Sequence, residues 1–126
     1  MRAVDTNVLV RILARDDPKQ VSIAEAFISS GAWISHLALA EALWVLRSVY
    51  GLSPPAIASA AEQLLDHEHF TLQEPDVVAA ALIDFRARPA AGFSDCLILA
   101  VARKNGHLPL GTFDRTQAKL DGVQRL

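Results

Sequence analysis

Short apolar runs alternate with amphipathic stretches along the whole of this chain, and no other feature narrows its possible folds so far. The runs are Ala3-Val4, Ala32-Trp33-Ile34, Phe70-Thr71-Leu72, Leu108-Pro109-Leu110 and Val123 to Leu126. Each is long enough for a strand and too short for a helix. Between them apolar residues recur at helical spacing, as in Val8, Leu9, Ile12 and Leu13, or Val21, Ala24, Phe27 and Ile28. Capping and stop residues punctuate these stretches. Asp16-Asp17-Pro18 ends a first helix over Thr6 to Ala14 and opens a second, which Gly31 stops. Ser35 caps a third that runs to about Tyr50, and Ser53-Pro54-Pro55 starts a fourth. Pro75 or Asp76 opens a fifth, Phe93 or Ser94 a sixth that ends at Asn105, and Asp114 to Leu120 is a short last helix.

Strands that alternate with helices make a layered α/β fold with a mainly parallel sheet. The expected architecture is a central sheet of about four to five short strands flanked by about six to seven helices, as a single domain over residues 1–126. With 52% of its residues hydrophobic, the chain can bury a real core. Pro109 cannot donate to a ladder, so the fourth run belongs at an edge or a strand start. No repeat, low-complexity tract or linker interrupts the pattern.

Several classes fall away. A lone cysteine, Cys96, allows no internal disulfide and fits a reducing compartment, so a cytoplasmic location is expected. Gly31 to Leu46 is the longest nearly uncharged apolar stretch, but it carries Ser35, His36 and Glu41 and is short for a membrane span. Net charge is −2, so any contact with nucleic acid must rest on local basic residues or a metal rather than on a basic surface.

Most of the 14 acidic residues lie in polar settings, such as Asp16-Asp17 or Asp66-His67-Glu68. Four do not. Asp5 follows Ala3-Val4, Glu41 sits inside Leu39-Ala40-Glu41-Ala42-Leu43, Asp95 inside Phe93-Ser94-Asp95-Cys96-Leu97, and Asp114 follows Leu110 to Phe113. Taken alone, Asp5 is a better helix cap than a catalyst. Residues three and four apart share a helix face, which puts Glu41 with Leu37, Trp44 and Val45, and Asp95 with Ile98 and Leu99; both carboxylates are expected toward buried surface. Asp5 and Asp114 each follow a strand, and ligands of open α/β sheets gather outside the carboxyl ends of strands. Four segments thus have a reason to bring acids to one edge. Asp84 also has apolar neighbours, yet it falls off the Val78, Leu82, Phe85 stripe and is expected at the surface.

Magnitudes say what such a gathering requires. Two unit charges about 6 Å apart repel by roughly 3 kcal/mol at an effective dielectric of about 20. Six pairs approach about 15 kcal/mol, comparable to a domain's whole stability of about 5–15 kcal/mol. Either some acids hold protons or a divalent cation sits among them. Carboxylate oxygens favour Mg²⁺ or Mn²⁺, and His36, His67, His69 and His107 form no zinc-like spacing and read as surface residues. Thr6, Asn7, Ser94 and Thr112 are placed to orient these carboxylates or to cap locally.

At these residues the chain resembles the PIN-domain ribonucleases, and among them the compact VapC-type toxins of bacterial toxin–antitoxin pairs. Val4-Asp5-Thr6-Asn7-Val8-Leu9 is similar to the opening signature, Ser35 with Ala40-Glu41 to the second acidic position, Phe93-Ser94-Asp95-Cys96-Leu97-Ile98 to the third, and Leu110-Gly111-Thr112-Phe113-Asp114-Arg115 to the fourth. The resemblance implies a metal-dependent endoribonuclease in which Asp5, Glu41, Asp95 and Asp114 hold one or two Mg²⁺ or Mn²⁺ ions. It also implies a homodimer and a cognate antitoxin, for which the apolar helices around Trp44 and Ile57 offer docking surface. Arg11, Arg15, Arg86, Arg88 and Arg115 are the candidates for RNA backbone contacts. Relatives often carry a further acid near the place of Gly92; its absence leaves four ligands.

Two other readings remain. A receiver-like Mg²⁺-binding signalling domain shares the fold class, but it needs paired acids near the first strand and a lysine after a late strand. Asp5 stands alone, and no lysine follows Leu108 to Leu110. A catalytically silent PIN-type interaction module would keep the same acids.

Overall fold

A computed structural model describes every residue from Met1 to Leu126. The chain divides into two compact units, Met1–Pro75 and Asp76–Leu126.

In the first unit the order is β1 (Arg2–Ala3), α1 (Thr6–Ala14), α2 (Pro18–Ile28), β2 (Ala32–Ile34), α3 (His36–Ser48), α4 (Pro54–Asp66) and β3 (Phe70–Leu72). The strands form a parallel sheet in the order β1-β2-β3, with Ala3 beside Trp33 and Ile34 beside Leu72. Parallel neighbours need a long crossover, and a helix pair supplies each one. Ala32, Ile34, Phe70 and Leu72 are buried while Trp33 and Thr71 alternate outward, the period of two that strands impose. The core collects Leu9, Ile28, Ile34, Leu39, Leu43, Leu46 and Leu64, all essentially inaccessible to solvent. Each such side chain contributes about 1.5–3 kcal/mol of transfer free energy. Helix starts are fixed by side chains: Asp17 accepts from Gln20 N, Ser35 from Ala38 N and Ser53 from Ala56 N. Gly31, at φ +97°, turns the chain between α2 and β2 where an L side chain would be strained.

The second unit contains α5 (Pro75–Ala87, its first residue at the boundary), a 3-10 turn (Pro89–Ala91), α6 (Phe93–Lys104), β4 (Leu110–Thr112), a second 3-10 turn (Gln117–Lys119) and β5 (Val123–Arg125). Strands β4 and β5 pair in parallel, Leu110 beside Val123 and Thr112 beside Arg125. Phe85 and Phe93 meet edge to face at 5.9 Å, joining α5 to the start of α6.

The expected five strands and six longer helices are present, and every strand pairing is parallel. Some boundaries and one pairing differ from expectation. The strands form a three-stranded and a two-stranded sheet rather than one, because hydrophobic pattern specifies strands and not their partners. Strand β1 begins a residue earlier, although Val4 N still donates to Trp33 O at 3.1 Å. Pro109 precedes β4 rather than lying in it. The last helix is only a 3-10 turn. Asp84 is half-buried, its Oδ2 facing Arg103 at 3.6 Å, too far for a hydrogen bond but close enough for attraction. Ile57 is buried and offers no docking surface, whereas Trp44 is 61% exposed and is no core residue. Among the histidines His107 is exposed, and His36, His67 and His69 are half-buried. No helix is long and apolar enough to cross a membrane.

Candidate metal centre

Asp5 lies just beyond the carboxyl end of β1 and is the N-cap of α1. Its backbone is extended, and its Oδ1 accepts from Val8 N at 3.2 Å. The cap is therefore Asp5 itself, not Thr6 or Asn7. The carboxylate is exposed, and Oδ2 has no protein partner. A cavity of about 620 Å³ opens beside it, lined by Asp5, Asn7, Val8, Ile23 and Phe27 among others.

Glu41 lies mid-way along α3 and is exposed, contrary to the expectation of a buried-facing carboxylate. The helix buries Ala38, Leu39, Ala42, Leu43 and Leu46. Leu37 and Trp44, which share Glu41's face, are themselves 77% and 61% exposed. The helix is apolar nearly all round, so sequence alone does not reveal which side is inward.

In the second unit Asp95 falls in the first turn of α6, where a negative charge suits the helix dipole. It is half-buried. Desolvation, and secondarily the charge of Asp114, hold its carboxyl above the ordinary Asp range. Asp114 is exposed and anchored at the start of the second 3-10 turn. Its Oδ1 accepts from Thr116 N at 2.7 Å and from Gln117 N at 3.0 Å, and its own N–H donates to Thr112 Oγ1 at 3.0 Å. Like Asp5, it commits one oxygen to the backbone and keeps the other unpartnered.

Of the flanking polar residues, Thr112 is tied directly to Asp114, and Ser94 sits half-buried next to Asp95. Thr6 is half-buried and Asn7 exposed in the first turn of α1. Gln117 is a residue that sequence reading missed. It is 7% exposed and is the buried polar side chain of this chain. In a polar stretch it looks like any solvated amide; the only signal is its place three residues after Asp114, the spacing of a capping box.

The arginines differ in availability. Arg11 pairs with Asp16 and donates to Tyr50 Oη at 3.1 Å, while Tyr50 donates to Asp16 at 2.7 Å. Arg15 pairs with Glu25 at 2.9 Å. Arg86, Arg88 and Arg115 are exposed. Arg125, which sequence reading passed over, stands beside Thr112 in the β4–β5 register.

A family model described as PIN domain matches residues 2–123. The chain belongs to the PIN domain family. No curated protein and no solved structure matches it. PIN domains are generally metal-dependent nucleases, and the α/β/α architecture found here is theirs. Within either unit of this PIN domain no three His, Cys, Asp or Glu side chains are grouped to hold a metal ion. The chemistry of the donors nonetheless fits one. The candidate acids offer carboxylate oxygens alone, the hard donors that suit Mg²⁺ or Mn²⁺. Asp95, desolvated beside the charge of Asp114 and without a basic partner, is a carboxyl that a cation would relieve.

Proposed function

We propose that this PIN domain is a divalent-metal-dependent endoribonuclease that hydrolyses RNA phosphodiesters, acting in the cytoplasm as the toxin of a toxin–antitoxin pair. Asp5, Glu41, Asp95 and Asp114 are assigned as ligands of one or two Mg²⁺ or Mn²⁺ ions. The observation that carries this reading is the half-buried carboxyl of Asp95 in the field of Asp114, with no basic side chain to offset it. When bound, the cation supplies charge neutralisation for the phosphodiester and Lewis acidity toward water.

The protein's own residues then have distinct tasks. Thr112 holds the Asp114 backbone, which keeps that carboxylate in place at the end of β4. Thr6 and Asn7 next to Asp5, and Ser94 next to Asp95, are assigned to orient those carboxylates. Arg88 and Arg115, exposed and without a carboxylate partner, are the best placed for phosphate. Arg11 and Arg15 would first have to leave Asp16 and Glu25, and Arg86 is assigned a weaker role. A homodimer and a cognate antitoxin are proposed on the exposed apolar face of α3, where Leu37 and Trp44 stand out from the surface.

The test is cleavage of a mixed RNA pool by purified protein with added Mg²⁺ or Mn²⁺, with EDTA abolishing it. Asp5→Asn, which can keep the cap, is expected to lower the rate by at least about 10²-fold. Wild-type cleavage that persists in EDTA, or an Asp5→Asn protein as active as wild type, sinks the assignment. No cleavage and no metal binding would favour a silent interaction module.

A further inference from the structure

We propose that Gln117 is a positioning residue that fixes Asp95 and Asp114 relative to one another; the inference rests on the metal-dependent reading of those two acids. Gln117 closes a ring of hydrogen bonds. Its backbone N–H donates to Asp114 Oδ1 at 3.0 Å, the Thr112 hydroxyl donates to Gln117 Oε1 at 2.9 Å, and Asp114 N donates back to Thr112 Oγ1 at 3.0 Å. Asp114-Arg115-Thr116-Gln117 has the spacing of a capping box, in which the fourth side chain ordinarily returns to the first residue's N–H. Here Thr112 takes that N–H, and the Gln117 side chain is released to serve elsewhere. Its Nε2 donates a long, weak hydrogen bond to the carbonyl oxygen of Asp95 at 3.5 Å.

The orientation of the amide follows from its partners. A backbone carbonyl only accepts, so Nε2 faces Asp95. That leaves Oε1, which can only accept, facing Thr112, so the Thr112 hydroxyl gives its proton to Oε1 while a lone pair accepts from Asp114 N. Both ends of the amide are therefore specified. A buried amide with both ends partnered is rigid, and losing one partner leaves a desolvated polar atom behind. Gln117 thereby ties the turn that carries Asp114 to the helix that carries Asp95. Its side chain touches neither carboxylate: it reaches Asp114 through the Thr112 hydroxyl and Asp95 through the backbone carbonyl.

Removing outer residues that orient metal ligands typically weakens metal affinity or activity by about 10–100-fold. Gln117→Met keeps the volume and removes both polar ends; Thr112→Val keeps the β-branched shape and breaks the same ring elsewhere. Mn²⁺ binding to each purified protein is measured by the loss of the free-ion paramagnetic resonance signal, alongside thermal unfolding and RNA cleavage. Each single variant is expected to unfold cooperatively and bind Mn²⁺ about 10-fold more weakly. The double variant is expected to be little worse than either single, because both break one ring. Thr112→Val keeps the question decidable if Gln117→Met does not fold. Wild-type Mn²⁺ affinity in a folded variant, or fully additive losses, overturns the positioning role while leaving the nuclease reading intact. Wild-type protein that binds no Mn²⁺ overturns that reading and this inference together.

Discussion

Asp5 uses one carboxylate oxygen to cap α1 and keeps the other unpartnered, so substitution can separate its structural and chemical parts. Asparagine is as good an N-cap as aspartate, whereas alanine loses about 1 kcal/mol. Asp5→Asn should therefore unfold within about 0.5 kcal/mol of wild type, and Asp5→Ala about 1 kcal/mol below it, with both inactive on RNA. Equal destabilisation by the two in urea titrations would mean that the Oδ1–Val8 bond contributes nothing. Cys96 offers a second test at this scale. It is wholly buried, and burial first, then the charges of Asp84 and Asp95, push its thiol up to about 12. The unfolded thiol ionises near 9. Folding therefore favours the protonated form, and that contribution is complete below pH 9 and lost as pH rises from 9 toward 12. The stability difference between wild type and Cys96→Ala should shrink over this window, and a difference that stays flat or grows would contradict the assigned burial effect. The native thiol should also resist aromatic disulfide reagents at pH 8 until denaturant is added.

At the scale of elements, legibility depended on how one-sided each segment's pattern is. The bounds of helix α1 could be read to the residue; of its expected stripe Leu9 and Ile12 are buried, while Val8 and Leu13 are half-buried and Val10 is buried instead. Helix α3 could be placed but not oriented. His36-Leu37-Ala38-Leu39-Ala40-Glu41-Ala42-Leu43-Trp44 has no polar side, and the expectation that Glu41 faces inward failed for that reason. The final helix failed differently: the Asp114 carboxylate accepts from Thr116 N and Gln117 N, but only Gln117–Lys119 forms a 3-10 turn before Leu120 returns to an extended backbone. Gln117 had only its capping-box spacing from Asp114 to mark it, since its burial follows from where that turn lies and not from its neighbours in sequence. The orientation of α3 is checked by a pair of substitutions. Leu39→Ala removes a side chain with no solvent access and should cost about 2–5 kcal/mol. Leu37→Ala, on the exposed side, should change monomer stability by less than about 0.5 kcal/mol. Reversed costs would mean that the helix is rotated and that Glu41 points inward after all.

Across the whole molecule, a net charge of −2 has to be reconciled with the proposed RNA substrate. A protein that grips RNA through a basic surface releases many counterions, and its affinity falls steeply with salt, with a slope of about −0.7 per phosphate contact on single strands. This chain has few cations to spend. Arg11 and Arg15 already face Asp16 and Glu25, which leaves Arg88 and Arg115 as the exposed candidates of the proposed set without a carboxylate partner, with Arg125 beside Thr112 as a third. Two or three phosphate contacts give a slope of about −1.5 to −2 in log K against log salt. On the proposed reading, the remaining attraction comes from a divalent cation held by the acids. Binding of a single-stranded RNA to Asp5→Asn, followed by fluorescence anisotropy over a range of KCl at fixed Mn²⁺, should give that shallow slope. Arg115→Ala should reduce its magnitude by about 0.7 while leaving thermal unfolding unchanged. A slope steeper than about −4 would reveal a basic surface that the pairing of these arginines does not provide, and would move the RNA path away from the end of β4.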